Sequence, residues 1–324
     1  MNDKPRVLLV GAGAVGQVFG KYLRSAGCDL AFLVKEKYAQ EARRGYTLYE
    51  LSRSERTPAP TLLSGFDIFD INVSPRELAG RRWDQVWLCV SSTALRAGDW
   101  VAQLARHTGE ATWVMLQPAL DDRDWLLQWV APERLVSGMI PFLSFHAPLR
   151  PEDPFPPPGS TAFWFPPLAR GLFSGPPERL EAVVRTLRAG GYPASGTEDA
   201  PRAAAIPTAV LTVGVAGLEA AGWSFERFLQ PDSLERVHRA AREAVRIVAK
   251  HTGAKASFVL PLLRPALFKA LVPVASRAVP LDLETYLRVH FTKVGEQSRA
   301  ILRTYIALGR SAGQEVRHLQ DLQP

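Results

Sequence analysis

The sequence predicts an α/β amino-terminal half built as a Rossmann-type, doubly wound parallel sheet, followed by an all-α carboxyl-terminal half. Three observations carry this expectation. Residues 7–10, Val-Leu-Leu-Val, form an unbroken apolar run, the mark of a strand buried on both faces of a parallel sheet. A glycine turn, Gly11-Ala12-Gly13-Ala14-Val15-Gly16, follows at once and opens a helical pattern over 17–26. Beyond residue 197, strand-like runs give way to helical periodicity.

A second apolar run at 30–34, after Gly27, completes strand, turn, helix and strand. Such a βαβ unit requires a parallel sheet and a right-handed crossover. Val18, Phe19 and Leu23 are expected to face inward from the helix. Further strands are expected at 66–73, 85–90, 112–116 and 135–139, with helical patterns at 94–106 and 121–130 between them. From 148 to 177 the chain turns proline-rich around Thr161-Ala162-Phe163-Trp164-Phe165. Proline cannot donate to a ladder, so this segment reads as an edge strand or a hairpin on extended loops. A helix over 178–189 ends at Gly190-Gly191, and the boundary is placed at 195–199, giving domains of residues 1–196 and 197–324. In the second domain the helical patterns are 203–221, 232–250 and 283–308, the last with a break expected near Gly295. Leu234, Val237, Ala241, Val245 and Val248 mark the inward face of the middle one.

The 324 residues carry 39 Lys and Arg against 32 Asp and Glu, a net charge of +7, and 47% of them are hydrophobic. That balance suits a globular protein attracting anionic ligands. The arginines are spread along amphipathic helices without interleaved aromatics, so no nucleic-acid partner is expected. The two cysteines, Cys28 and Cys89, lie in apolar runs and read as reduced thiols. The start of the chain lacks the apolar core of a signal peptide. The apolar stretch 258–275 is interrupted by Arg264, Lys269 and three prolines, so neither a membrane span nor a membrane partner is expected and the location is expected to be cytoplasmic. No HExxH, zinc-spaced Cys/His cluster or GxSxG occurs, so no metal site is expected.

GxGxxG becomes informative where it follows a buried strand and opens a helix. Gly11 permits the tight turn, Gly13 lets a pyrophosphate reach the backbone, and Gly16 allows close helix–strand packing. The flanking Ala12, Ala14 and Val15 join them as candidate cofactor-binding residues. Lys35 ends the second strand, where an acid would bond a ribose 2′-hydroxyl; a cation there favours the 2′-phosphate of NADP. Glu36 beside it keeps NAD as the alternative.

The layout resembles the ketopantoate reductase (2-dehydropantoate 2-reductase) family. The residues that carry the resemblance are GAGAVG at 11–16, Lys35, the strand Val86-Trp87-Leu88-Cys89-Val90, Leu116-Gln117, and the helical second half. The resemblance implies NADPH as cofactor, a homodimer formed through the helical domain, and cofactor contacts at Val90, Ser91 and Gln117. Several residues depart from the family pattern. Ser91 stands where the family has lysine, and Gln117-Pro118-Ala119 replaces an asparagine–glycine string. Residues 203–214 contain neither the catalytic lysine nor the asparagine of the family; Thr208 and Thr212 are the polar residues there.

Glu284 falls near the family's late substrate-contacting glutamate. His290, Lys293 and Gln297, spaced i, i+3, i+7, are expected on one helical stripe. His290 and Lys293 are therefore candidates for the missing acid and electrophile, with a capped polar helix surface as the alternative. Phe142, Phe145, Phe163, Trp164 and Phe165, with segment 258–275, either shape a wide apolar pocket or form ordinary core; His146 reads as structural. Two functions stand: an NADPH-dependent reductase of a different, larger carbonyl or imine substrate, or an NADP(H)-binding or sensor protein that has lost turnover.

Overall fold

The structure is a computed structural model that describes residues 4–71 and 75–323. Its contacts divide the chain into two compact units, residues 1–117 with 121–200, and residues 118–120 with 201–324. The break falls four residues after 196, because the third strand residue of the last strand is still sheet-paired and the Ala200 N–H donates to Ser174 Oγ at 2.9 Å.

The first unit runs β1 (Arg6–Val10), α1 (Ala14–Ser25), β2 (Asp29–Val34), α2 (Glu36–Arg43), β3 (Tyr46–Glu50), β4 (Thr61–Leu63) and β5 (Asp67–Asp70). It continues with α3 (Pro75–Ala79), β6 (Gln85–Leu88), α4 (Ser92–Leu95), α5 (Trp100–His107), β7 (Thr112–Met115), α6 (Asp122–Leu126) and β8 (Leu135–Gly138). β9 (Leu143–His146), β10 (Thr161–Trp164), β11 (Gly171–Ser174), α7 (Pro177–Ala189) and β12 (Ala194–Gly196) complete it.

Eight strands form one sheet in the order β12-β11-β8-β7-β6-β1-β2-β5. From β8 to β5 every pairing is parallel, and β11 joins β8 antiparallel. The alternation along β1 explains its apolar run. Val7 and Leu9 enter the core that holds α1, whereas Leu8 and Val10 enter the core on the opposite face. Val18, Phe19 and Leu23 of α1 are fully buried, as their spacing predicts.

A second, four-stranded sheet, β4-β3-β10-β9, packs on α1 from the side away from β1 and β2. The proline-flanked strand is thus interior, not an edge: β10 pairs β9 antiparallel and β3 parallel. Its prolines lie in the flanking loops, so none removes a ladder N–H. The hairpin alternative describes β9–β10. The aromatic residues around it are core. Phe142 and Phe163 are buried and Phe165 half-buried, meeting one another and Phe19, Tyr22 and Tyr192 edge to face or tilted at 5.2–6.4 Å. The wide-pocket alternative for this cluster is therefore set aside. The expected strand at 66–73 is realised as β5, and residues 72–74 lie outside the described residues. The helical pattern at 94–106 divides into α4 and α5 around Gly98, which has φ +79°.

The second unit contains α8 (Ala200–Ala220), α9 (Phe225–Phe228), α10 (Pro231–Thr252), α11 (Pro265–Ala278), α12 (Leu283–Lys293), α13 (Gly295–Ser311) and α14 (Arg317–Gln320). α10 is its centre, packing on α9, α11, α13 and α14, with Leu234, Val237, Ala241, Val245 and Val248 buried. α8 is long and apolar enough to cross a membrane by length and composition, contrary to the reading from 258–275 alone. It behaves as a core helix: Ala205, Ile206, Ala209, Val213 and Leu218 join the α10 core, and a Cβ on Gly217 would stand 2.2 Å from Val237. The break expected near Gly295 occurs at Val294, which caps α12 and α13 alike.

Candidate functional site

The strand order reverses between β1 and β6: β1 leads outward to β2 and β5, and β6 leads the other way to β7 and β8. Such a switch point opens a crevice at the carboxyl ends of the strands. Gly11 sits there with φ +96°, and its N–H donates to Leu33 O at 2.9 Å. A Cβ on it would lie 2.9 Å from both Cys89 O and Val90 Cγ1. A Cβ on Gly16 would stand 2.1 Å from Gly11 O, so both positions are glycine because protein crowds them.

Gly13 differs. It adopts an ordinary φ of −68°, and no protein atom lies within 4 Å of where its Cβ would be. The protein itself therefore places no demand for glycine at 13. Gly13 is the N-cap of α1, no side chain caps that helix, and its first turn holds no acid. The first-turn N–H groups and the positive end of the helix dipole are thus left for an anion. These residues fit a dinucleotide pyrophosphate.

The turn is held from behind. Gln17 Nε2 donates to Ala12 O at 2.9 Å, and Gln17 Oε1 accepts from Thr161 Oγ1 of β10 at 2.7 Å. Because the Thr161 hydroxyl donates to Gln17, it is free only to accept at its 3.3 Å contact with His146 Nδ1, which places a proton on that nitrogen. Gln17 and Thr161 are both buried. Sequence reading missed this chain, since 144 residues separate its two central members.

Lys35 is the N-cap of α2 at the end of β2, exposed and without an ion pair among the described residues. Glu36 is exposed in the first turn of α2, and Lys37 lies over the Tyr38 ring at 4.8 Å. Val90 and Ser91 follow β6 at the switch point. Ser91 caps α4, its Oγ accepting from Ala94 N at 3.2 Å. Gln117 is occupied: its Nε2 donates to Leu88 O at 2.9 Å and Val90 O at 2.7 Å, and its Oε1 accepts from Leu116 N. Its amide thus staples the end of β6 to β7 and leaves no N–H for a ligand.

Beside this staple is a second network that sequence reading missed. Fully buried Asp122 accepts from Ser92 Oγ at 2.6 Å and pairs with Arg96 at 2.8 Å, while Arg96 also holds Asp121 at 2.8 Å. Arg96 keeps the Asp121 carboxyl below the usual carboxylate range through hydrogen bonding and charge. Both cysteines are free; burial pushes the Cys28 thiol up to about 11 and raises that of Cys89 further.

The three candidate catalytic residues lie in the second unit, on α12. Glu284 Oε2 accepts from Phe225 N at 2.6 Å, binding α12 to the start of α9. His290 stacks on Tyr286 at 5.4 Å, meets Phe291 edge on at 4.9 Å, and is brought down to about 4 by burial and by nearby Lys293. It is therefore a neutral imidazole at pH 7. Lys293 is exposed at the last turn of α12. Gln297 does not continue their stripe, because the interruption at Val294 puts it on α13.

Comparison with known proteins agrees with this architecture. Residues 7–148 match the family described as ketopantoate reductase PanE/ApbA. No curated protein matches the chain. The fold is shared over 98% of this chain with a 2-dehydropantoate 2-reductase from Geobacter metallireducens GS-15, covering 97% of that chain at 19% identity and a TM-score of 0.70. A D-mandelate dehydrogenase bound to NADH and anilino(oxo)acetate matches 98% of this chain and 95% of its own, at 11% identity and a TM-score of 0.71. A PanE/ApbA family ketopantoate reductase from Ralstonia eutropha JMP134 gives 98% and 95% coverage, 15% identity and a TM-score of 0.70. At these identities the three structures speak for the fold, and the family match speaks for the sequence. The similarity to the ketopantoate reductase PanE/ApbA family spans residues 7–148, somewhat less than half of the 324 residues.

Proposed function

We propose that the chain is an NADPH-dependent oxidoreductase of ketopantoate-reductase type, acting on a carbonyl or imine compound other than ketopantoate. The observation that carries the reading is the uncapped, acid-free start of α1 behind Gly13, whose missing side chain nothing in the protein requires. Support comes from the family match and from the NADH held by the structurally similar D-mandelate dehydrogenase.

When bound, reduced nicotinamide supplies a hydride to the carbonyl or imine carbon. The first-turn N–H groups of α1 take the pyrophosphate, and the Lys35 ammonium meets the 2′-phosphate. Val90 and Ser91 line the crevice by their main chain. Reduction also needs a proton at the carbonyl oxygen or imine nitrogen and a group that polarises it. In this reading the Lys293 ammonium gives the proton and the neutral His290 N–H polarises the acceptor. Glu284 is a positioning residue that keeps α12 on α9. A substrate other than ketopantoate follows from Ser91, from the staple made by Gln117, and from α8, which has no lysine or asparagine.

The same lysine-free helix favours a second reading, an NADP(H)-binding or sensor protein without turnover. Fluorescence titration with NADPH and NADH, followed by a panel of 2-oxo acids and imines, separates the two. Turnover supports the reductase, and tight binding with no oxidation of NADPH supports the sensor. Binding of neither nucleotide rejects both. Lys35→Ala is expected to weaken NADPH about ten-fold, as loss of a charge-assisted contact does, and to leave NADH unchanged.

A further inference from the structure

One stretch of the second unit combines exposed apolar residues with an unbroken positive charge pattern. Phe258 is 81% exposed, Leu262 64%, Val274 62% and Leu271 48%. In α11, Leu271 and Val274 stand three residues apart on the exposed surface, while Phe268 is buried and Leu267 packs half-buried on the α10 core. From Glu243 to Asp282 the chain contains no acidic residue between those two. The same interval carries Arg246, Lys250, Lys255, Arg264, Lys269 and Arg277, all of them exposed. Lys250 and Arg264 hydrogen-bond main-chain carbonyls, of Ala312 and Pro261.

We propose that segment 258–278, with its flanking cations, docks the protein on an anionic lipid surface. An apolar stripe beside lysines and arginines is the pattern of a helix lying in the plane of a membrane interface, its apolar side chains among the acyl ends and its cations at the headgroups. Charge decides between occupants. A second copy meeting this acid-free stretch about a two-fold axis would bring cations towards cations, whereas an anionic bilayer complements them. The helix cannot span instead, because its 14 residues fall short of the roughly 20 that a bilayer core requires. The inference replaces the expectation of no membrane partner, and it stands or falls independently of the proposed reductase activity.

The test is co-sedimentation of the full chain with vesicles of phosphatidylcholine alone, and of phosphatidylcholine mixed equally with phosphatidylglycerol, with sedimentation equilibrium in the absence of lipid. The wild type is expected to bind the mixed vesicles, to release as salt is raised, and to ignore the neutral ones. Lys255→Gln, Arg264→Gln and Lys269→Gln are each expected to weaken binding roughly five-fold, the effect of one cation at an anionic surface. Leu271→Ser with Val274→Ser should abolish binding without lowering the melting temperature, since both residues are exposed. Equal binding to the two vesicle types, no binding to either, or variants that bind as the wild type does would overturn the proposal. So would a lipid-free dimer that Leu271→Ser with Val274→Ser converts to monomer, for then the face is covered by a second copy.

Discussion

Thr161 sits on β10, yet its hydroxyl sets the shape of a turn that belongs to β1 and α1. By donating to Gln17 Oε1 it orients the amide so that Nε2 meets Ala12 O. Thr161→Val removes that donor and leaves a buried acceptor unpaired, which costs about 1–3 kcal/mol. Chemical denaturation should show this loss, nucleotide affinity should fall with it, and Thr161→Ser should restore both. His290 offers a second prediction at this scale, in pH. Its folded value of about 4 lies below the ordinary 6.5, so the unfolded chain binds the proton more readily between those limits. The stability it contributes is therefore complete above pH 6.5 and declines as pH falls towards 4, by on the order of 3 kcal/mol at most. Urea titrations at several pH values should show a shallower decline for His290→Phe; an unchanged slope would locate the titration elsewhere.

Among the elements, the glycine turn allows its three glycines to be told apart. Gly16→Ala must push a methyl group into Gly11 O and is expected to destabilise the fold severely. Gly13→Ala meets no protein atom and should cost only about 1 kcal/mol, the difference between glycine and alanine at an N-cap, while nucleotide binding falls at least ten-fold. Thermal melts paired with titration check both. The βαβ start was legible in the sequence because a buried parallel strand, a glycine turn and an amphipathic helix each leave a periodic trace within a few residues of one another. β3 and β4 left none: Tyr46–Glu50 and Thr61–Leu63 are short, β4 pairs only β3, and β3 takes its other partner, β10, from more than a hundred residues later. The same reason hid Gln17–Thr161 and Ser92–Asp122, whose meaning is a contact and not a spacing. Gln117 was found by position, but its hydrogen bonds were not. Its longer side chain folds back to the Leu88 and Val90 carbonyls, which no alignment of strand ends reveals.

For the whole molecule, the relevant fact is that each unit has its own core, two on the faces of the large sheet and one around α10. A ligand that binds the native first unit raises its unfolding free energy by mass action, about 2.7 kcal/mol at a hundred times Kd. Hydrogen exchange with saturating NADPH is expected to slow in the turn at 11–17 and in residues 33–36. Slowing confined to α10 would place the nucleotide elsewhere. The charge is also unevenly placed. Six of the Lys and Arg residues, with no acid among them, fall between Glu243 and Asp282, the interval proposed to meet an anionic surface.

The empty space beside Gly13 has a practical use in a living cell. Deleting a gene removes the polypeptide together with everything it touches, so the resulting phenotype cannot say which was needed. A chromosomal Gly13→Ala allele is expected to keep the protein folded, at a cost of about 1 kcal/mol, while weakening the proposed nucleotide binding, because no side chain of the protein contests that position. Growth defects shared by the allele and the deletion would then belong to the proposed nucleotide site. Those peculiar to the deletion would belong to the body of the protein, its basic apolar face included.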